Sequence, residues 1–135
     1  MSTLPDPAAW RAAAACHDEL FAALDPGARI GLVAREAPAA MLLWEAGDAG
    51  IEVRVRDAPF PGFFASGADI LLAADAEALA AICGAADEQL FAVLRAGIRS
   101  GAVICYVLRR RCYLEDCGFE DLLEALGFAF MGACR

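Results

Sequence analysis

The chain has 135 residues, a net charge of −8 and a hydrophobic content of 60%, with a mean hydropathy of +0.51. The acidic balance argues against general nucleic-acid binding, which needs a cationic surface, and against strong attraction to anionic membranes. One His, three Ser and no Lys or Asn leave few side chains for catalysis. The apolar surplus must therefore fill a large core, line a cavity or form a partner interface.

The length favours a single domain over residues 1–135. All eleven basic residues are Arg, a composition typical of a GC-rich bacterial genome. Residues 1–11 lack the basic and apolar regions of a signal peptide, and the apolar run 122–134 is too short to cross a bilayer. We therefore expect a cytoplasmic protein. The six cysteines allow a disulfide framework by parity, but reduced thiols are the expectation for that compartment.

The first half of the chain predicts a helix followed by three strands. Apolar residues recur at helical spacing over 7–24, and Asp25-Pro26-Gly27 ends the helix. Strands are predicted over 29–36, 40–46 and 51–57, and the third alternates apolar with charged residues. Because the connections between them are short, the three strands should form an antiparallel meander.

A loop over 59–67 interrupts this regular pattern. Its two Pro and two Gly exclude regular structure, and it carries Phe60, Phe63 and Phe64. Aromatic rings in a surface loop need a contact. They either line the mouth of an apolar cavity or plug a sheet edge or a dimer contact.

The second half predicts a strand, two helices, a strand and a helical tail. The fourth strand covers 68–74, and Asp75 caps a helix that reaches about residue 83, with Gly84 as the residue after it. Asp87 caps the next helix, which ends near Gly97. The fifth strand, 102–109, is apolar on both faces, as expected of a central strand. A helical face continues from 119 to 130. The fold class is thus α+β, with a five-stranded, mainly antiparallel sheet covered by helices mostly on one face.

Two local patterns resemble the sterol carrier protein-2 (SCP2-like) domain family. The first is Gly67-Ala68-Asp69-Ile70-Leu71-Leu72 followed by Asp75-Ala76-Glu77-Ala78-Leu79, a strand that leads into a helix with an acidic start. The second is Leu94-Arg95-Ala96-Gly97-Ile98-Arg99-Ser100-Gly101, a helix end before the last long strand. Trp44 in the second strand is also similar to the family. The resemblance covers about 20–108, and 109–135 is a helical extension beyond it. The chain departs from the family at Ala102, Leu71 and Ala73.

The resemblance implies an apolar cavity between sheet and helices for a fatty-acyl, isoprenoid or sterol-like ligand. The function it implies is non-enzymatic lipid binding and lipid transport without a cofactor or a metal. The candidate lining residues are Trp44, Phe60, Phe63, Phe64, Leu90, Phe91, Leu94, Ile98 and Cys105. The helical members of this set also suit plain core packing. The alternative function is a homodimeric interaction or accessory module whose cavity is filled by its own side chains.

Other chemistry finds little support in the sequence. Cys16 and His17 are adjacent on a helix and diverge by about 100°, so their side chains do not readily meet. One His excludes a His-based metal site, and the cysteines lack the paired short spacings of a zinc site. No Gly-x-Ser-x-Gly motif is present. The run 109–111 of three Arg could meet an anionic head group, although solvation or pairing with nearby acidic residues is the favoured interpretation.

Overall fold

A computed structural model describes residues 4–38, 40–56, 62 and 65–128. These residues form six α-helices and five strands. The helices are α1 (Pro7–Cys16), α2 (Asp18–Phe21), α3 (Ala76–Gly84), α4 (Leu90–Ser100), α5 (Arg111–Asp116) and α6 (Glu120–Ala125). The strands are β1 (Arg29–Ala34), β2 (Met41–Gly47), β3 (Gly50–Arg56), β4 (Ile70–Ala74) and β5 (Val103–Val107). None of the helices in these ranges is long and apolar enough to cross a membrane.

The five strands form one mixed sheet in the order β3-β2-β1-β4-β5. The pairs β1–β2 and β2–β3 are antiparallel, as the predicted meander requires. β4 and β5 are also antiparallel, whereas β1 and β4 are parallel. The prediction of a central fifth strand is wrong, because β5 lies at an edge and exposes Ile104 and Val107. The central strands are β1 and β4, whose Leu32, Leu71 and Leu72 are fully buried.

The helices gather on one face of the sheet. Every buried apolar helix residue belongs to a single core cluster that also contains Ile30, Leu42, Trp44 and Leu72 from the strands. On the opposite face, a smaller cluster contains strand residues such as Val33, Met41 and Leu71. Both faces of the central strands are therefore apolar, which explains their nearly continuous hydrophobic sequences.

Several local boundaries differ from the predictions. The single helix over 7–24 is divided at His17, whose φ of −114° and ψ of 39° leave the helical region. Gly84 is the last residue of α3 rather than the residue after it. Asp87 begins a short 3₁₀ turn and does not cap α4 with its side chain. By contrast, the Asp75 cap is confirmed, since its Oδ1 accepts a 2.8 Å hydrogen bond from the Ala78 N–H.

The turn between α5 and α6 docks tightly against the segment that follows α2. The Asp25 N–H donates a 2.9 Å hydrogen bond to the Cys117 carbonyl. Gly118 has a φ of +86°, and a Cβ at that position would lie 1.9 Å from the Ala23 carbonyl oxygen. Only glycine therefore fits this contact, which fixes the C-terminal helices on the body of the protein.

Gly118→Ala should destabilise the protein far more than Gly27→Ala. Both glycines have positive φ, but a Cβ at Gly27 would meet nothing within 4 Å. Gly27→Ala should cost about 1–2 kcal/mol, the usual strain of a left-handed conformation. Gly118→Ala adds the clash and should cost at least about 2 kcal/mol more. Urea unfolding measures both values, and equal costs would show that the docking contact is loose.

Candidate functional site

The predicted interior site is a packed cluster of aromatic rings. Trp10 and Trp44 stack with centroids 4.0 Å apart and an interplanar angle of 3°. Phe21 meets Trp44 edge-on at 5.2 Å, and Phe91 lies 6.0 Å from it. The His17 ring in turn meets Phe91 edge-on at 4.8 Å. The rings therefore pack directly against one another on the helix-covered side of the sheet.

One hydrogen bond fixes the orientation of this cluster. The Trp44 Nε1–H donates to the backbone carbonyl of Trp10 at 2.8 Å, and the Trp44 side chain is fully buried. The indole N–H of Trp10 is also buried but has no acceptor among the described residues. The two indole rings therefore bury similar apolar area, but only the N–H of Trp44 is hydrogen-bonded among the described residues.

The structure brings together some of the predicted site residues and separates others. Trp44, Phe91 and Leu94 lie in the core, and Ile98 and Cys105 are partly buried against it. Leu90 is buried and also lines a cavity of about 190 Å³ beside α1. Phe60, Phe63 and Phe64 lie outside the described residues. The predicted residues thus mark the core of the helix-covered face.

A larger apolar groove lies between α3 and α4, where the sequence analysis placed no candidate. Its volume is about 440 Å³. Most of its lining side chains are small and apolar, with one Glu and one Ser among them: Glu77, Ala78, Ala81, Ile82, Val93, Ala96, Gly97, Ser100, Ala102 and Val103. Ile82 also lines the smaller cavity, so the two concave surfaces flank α3.

Small side chains are what keep this groove concave. Ala81 of α3 and Ala96 of α4 both line the groove, where longer side chains would occupy the space. At Gly97, α4 approaches β5 so closely that a Cβ would lie 2.6 Å from Val103 Cγ2. The spacing of Val93, Ala96, Gly97 and Ser100 along one helical face is the sequence signal that could have indicated the groove.

A group of ion pairs lies at the opposite end of the sheet. Glu45 is buried and accepts hydrogen bonds from Arg54 Nε and from Arg29 Nε, the latter at 2.5 Å. Chiefly through the Arg54 hydrogen bond and then that of Arg29, the pKa of Glu45 is held below its usual value. Asp69 accepts from the Arg29 backbone N–H and pairs with Arg109 at 3.1 Å.

The surroundings of Cys105, Cys83 and His17 show how these side chains are held. Burial raises the pKa of Cys105 to about 12 and also raises that of Cys83, so both remain thiols at neutral pH. His17 Nε2–H donates to the Asp87 carbonyl at 2.8 Å. Among the described residues, no three His, Cys, Asp or Glu side chains form a metal site. Cys112 is disulfide-bonded, whereas four other cysteines are thiols: Cys16, Cys83, Cys105 and Cys117.

The basic run near residue 110 does not act as one cluster. Arg109 pairs with Asp69 rather than with the acidic residues that follow it. Arg110 precedes α5 as its N-cap residue, and Arg111 begins that helix. The favoured interpretation was solvation of the run or pairing with the acidic residues that follow it, whereas the partner of Arg109 is Asp69, just before β4.

Comparison with known proteins does not place this chain in a family. No protein-family model, curated protein sequence or solved structure matches this chain. The groove and the aromatic cluster must therefore be interpreted from their own chemistry.

Trp44→Phe should cost at least about 1 kcal/mol more stability than Trp10→Phe. Both changes remove the same ring area, but Trp44→Phe also removes a satisfied buried hydrogen bond, whereas the Trp10 N–H has no acceptor among the described residues. Urea denaturation of the two variants measures the difference. Equal losses would show that the Trp44 hydrogen bond contributes nothing to folding.

Glu45→Gln should destabilise the protein by about 1 kcal/mol at pH 7, a small value because Arg29 and Arg54 are partly exposed. The lowered pKa means that the stabilisation by Glu45 is complete above its ordinary pKa of 4.5. It is lost as the pH falls through the lower folded-state value. The gap between wild type and variant should therefore close in acid.

Unfolding free energies measured between pH 7 and pH 3 test this expectation. The control is Glu88→Gln, since Glu88 is exposed and has no ion pair with a described residue. It should change stability by less than about 0.5 kcal/mol. A Glu45→Gln deficit that stays constant with pH would contradict the ion-pair interpretation.

Proposed function

We propose that this protein is a non-catalytic, cytoplasmic, SCP2-like domain that binds the apolar chain of a lipid-like ligand. The α3–α4 groove is the binding surface, and the observation that carries the proposal is its volume of about 440 Å³ with a largely apolar lining. Ligand sites are typically concave and mostly apolar, with few polar groups. A fatty-acyl or isoprenoid chain matches that chemistry.

The fold supports this proposal in a coarse way. A five-stranded sheet with its helices on one face agrees with what the SCP2-like resemblance implies. Trp44 in β2 and the Asp75-capped helix α3 are the features that carried the resemblance, and α3 forms one wall of the groove. The ligand position differs from the original expectation, since aromatic rings occupy the interior.

Binding in the groove would be driven by burial of methylene groups, each worth about 0.8 kcal/mol. Glu77 and Ser100 are its polar lining residues. Ser100 Oγ already donates to the Gly97 carbonyl, so it offers little to a ligand. The proposed ligand is therefore recognised mainly by its apolar chain.

Ala81→Phe should weaken binding of a fluorescent fatty acid such as cis-parinaric acid at least about tenfold. The Phe ring would occupy the space of about two methylene groups in the groove. Ala80→Phe is the matched control, because Ala80 is exposed on the same helix and does not line the groove. Fluorescence titration measures both dissociation constants.

The purified wild-type protein gives a second readout. Native mass spectrometry followed by solvent extraction should reveal a stoichiometric apolar adduct that Ala81→Phe lacks and Ala80→Phe retains. No adduct and no saturable binding of the fatty acid would refute the proposal. Equal binding by the two variants would place the ligand elsewhere.

The second candidate function is an interaction module with a self-filled interior. The stacking of Trp10 on Trp44 favours it, because the predicted cavity position is occupied by the protein's own rings. In this case the apolar surplus would serve a contact with another chain.

A further inference from the structure

The sheet ends at β3, an edge strand whose outer backbone groups lack partners among the described residues. Residues Gly47 and Gly50 close a two-residue hairpin, which makes them a hydrogen-bonded pair. Hydrogen-bonded and non-hydrogen-bonded residue pairs then alternate along the two strands, so Ile51 lies opposite Ala46 with no backbone hydrogen bonds between them. In agreement, the Ala46 N–H and carbonyl bond instead to residues 28 and 27, on the β1 side.

The same alternation fixes the direction of every backbone group in β3. Glu52 and Arg54 direct their N–H and carbonyl groups inwards to β2. Ile51, Val53 and Val55 direct theirs outwards, away from the sheet. Within the described part of the chain, no hydrogen bond to these three outer N–H or carbonyl groups is present. An edge of this kind is a template for another strand.

The side chains of β3 show which strand would fit. Val55 is 53% exposed, and the side chains of Glu52 and Arg54 are 61% and 58% exposed. Glu52 and Arg54 already pair with each other within the strand at 3.1 Å, so their charges can set the register of a partner strand but do not require one. Val55 is the exposed apolar residue that a partner strand would cover.

We propose that two copies of this protein pair through β3 in antiparallel orientation, with Val53 opposite Val53 of the other copy. This register joins two five-stranded sheets into one of ten strands. It places Ile51 opposite Val55, so the exposed valine gains an apolar neighbour on each side of the two-fold axis. The three outward-facing residues of each strand then form hydrogen-bonded pairs.

Charge selects this register over its neighbours. With Val53 at the centre, Glu52 of each copy lies opposite Arg54 of the other, giving two opposite-charge pairs. A shift of the centre to Glu52 would place two glutamates together, and a shift to Arg54 would place two arginines together. Like charges directly opposite each other are destabilising. The strand sequence is therefore self-complementary in one alignment.

This interface is independent of the lipid-binding proposal. The groove is formed by α3, α4 and the start of β5, at the opposite edge of the sheet from β3. A dimer through β3 leaves both grooves accessible. Failure of one proposal can therefore be distinguished from failure of the other.

Sedimentation velocity from micromolar to millimolar concentration tests the dimer. We expect a reversible shift from 14.2 kDa towards twice that mass. Glu52→Arg should raise the dimer dissociation constant about tenfold, because it sets Arg against Arg at two positions. Glu88→Arg carries the same charge change on an exposed turn outside the sheet and should leave the dimer unchanged.

Two further variants make the test specific to the strand pairing. Arg54→Glu removes an ion-pair partner of Glu45, so it should lower the stability of the monomer as well as weaken the dimer. An equimolar mixture with Glu52→Arg should nevertheless form a heterodimer, since both cross-strand pairs are then opposite in charge. Val53→Pro removes an outward N–H that the monomer does not use. It also removes part of the Val53 packing against the core, so the monomer should lose some stability but stay folded by circular dichroism while the dimer is lost.

Hydrogen exchange identifies the contact at residue level. The amides of Ile51, Val53 and Val55 should become protected as concentration rises, whereas those of Glu52 and Arg54 should be protected throughout. A protein that stays monomeric at millimolar concentration overturns the proposal. So does a dimer that survives both Glu52→Arg and Val53→Pro, which would show association through another surface.

Discussion

The stack of Trp10 on Trp44 is the contact on which the helix-covered core depends. It joins α1, an element from the start of the chain, to the second strand of the sheet, and the Trp44 N–H bond to the Trp10 carbonyl sets the angle between them. Phe21 and Phe91 then pack against the same indole from α2 and α4. The rings pack closely, and close packing leaves few voids. The larger concave apolar surface lies elsewhere, between α3 and α4.

That division explains how one domain can carry so much apolar sequence. The central strands β1 and β4 bury residues on both faces, and a separate cluster lies opposite the helices. The remaining apolar side chains line the α3–α4 groove or are exposed on the two edge strands. Proposed lipid binding and proposed pairing through β3 use different parts of that remainder, at opposite edges of one sheet. Arg29 of β1 and Arg54 of β3 both donate to the buried Glu45 of β2.

Much of the architecture follows from local sequence. The alternation of Ile51, Val53 and Val55 with charged residues predicts β3, and the short connections predict the meander, because both depend only on neighbouring residues. The Asp75 cap is local for the same reason. Boundaries were less predictable at His17, where the helix divides, since the ring turns to bond the distant Asp87 carbonyl. Among the site residues, Trp44, Phe91 and Leu94 were predicted to line a cavity and are buried in the core. Periodicity cannot distinguish a cavity wall from a packed core.

The sequence by itself determined the α+β class and the five strands, because hydrophobic period and capping chemistry act over a few residues. It did not predict α5 as a separate helix or the division of the first helix into α1 and α2. Only the tertiary structure decided the strand order. The parallel pairing of β1 with β4 places β5 at an edge despite its apolar sequence, and long-range pairing of this kind is not encoded in the period of any one strand. The groove also depends on tertiary structure, because the small residues of α3 and α4 form a concave surface only when the two helices pack side by side.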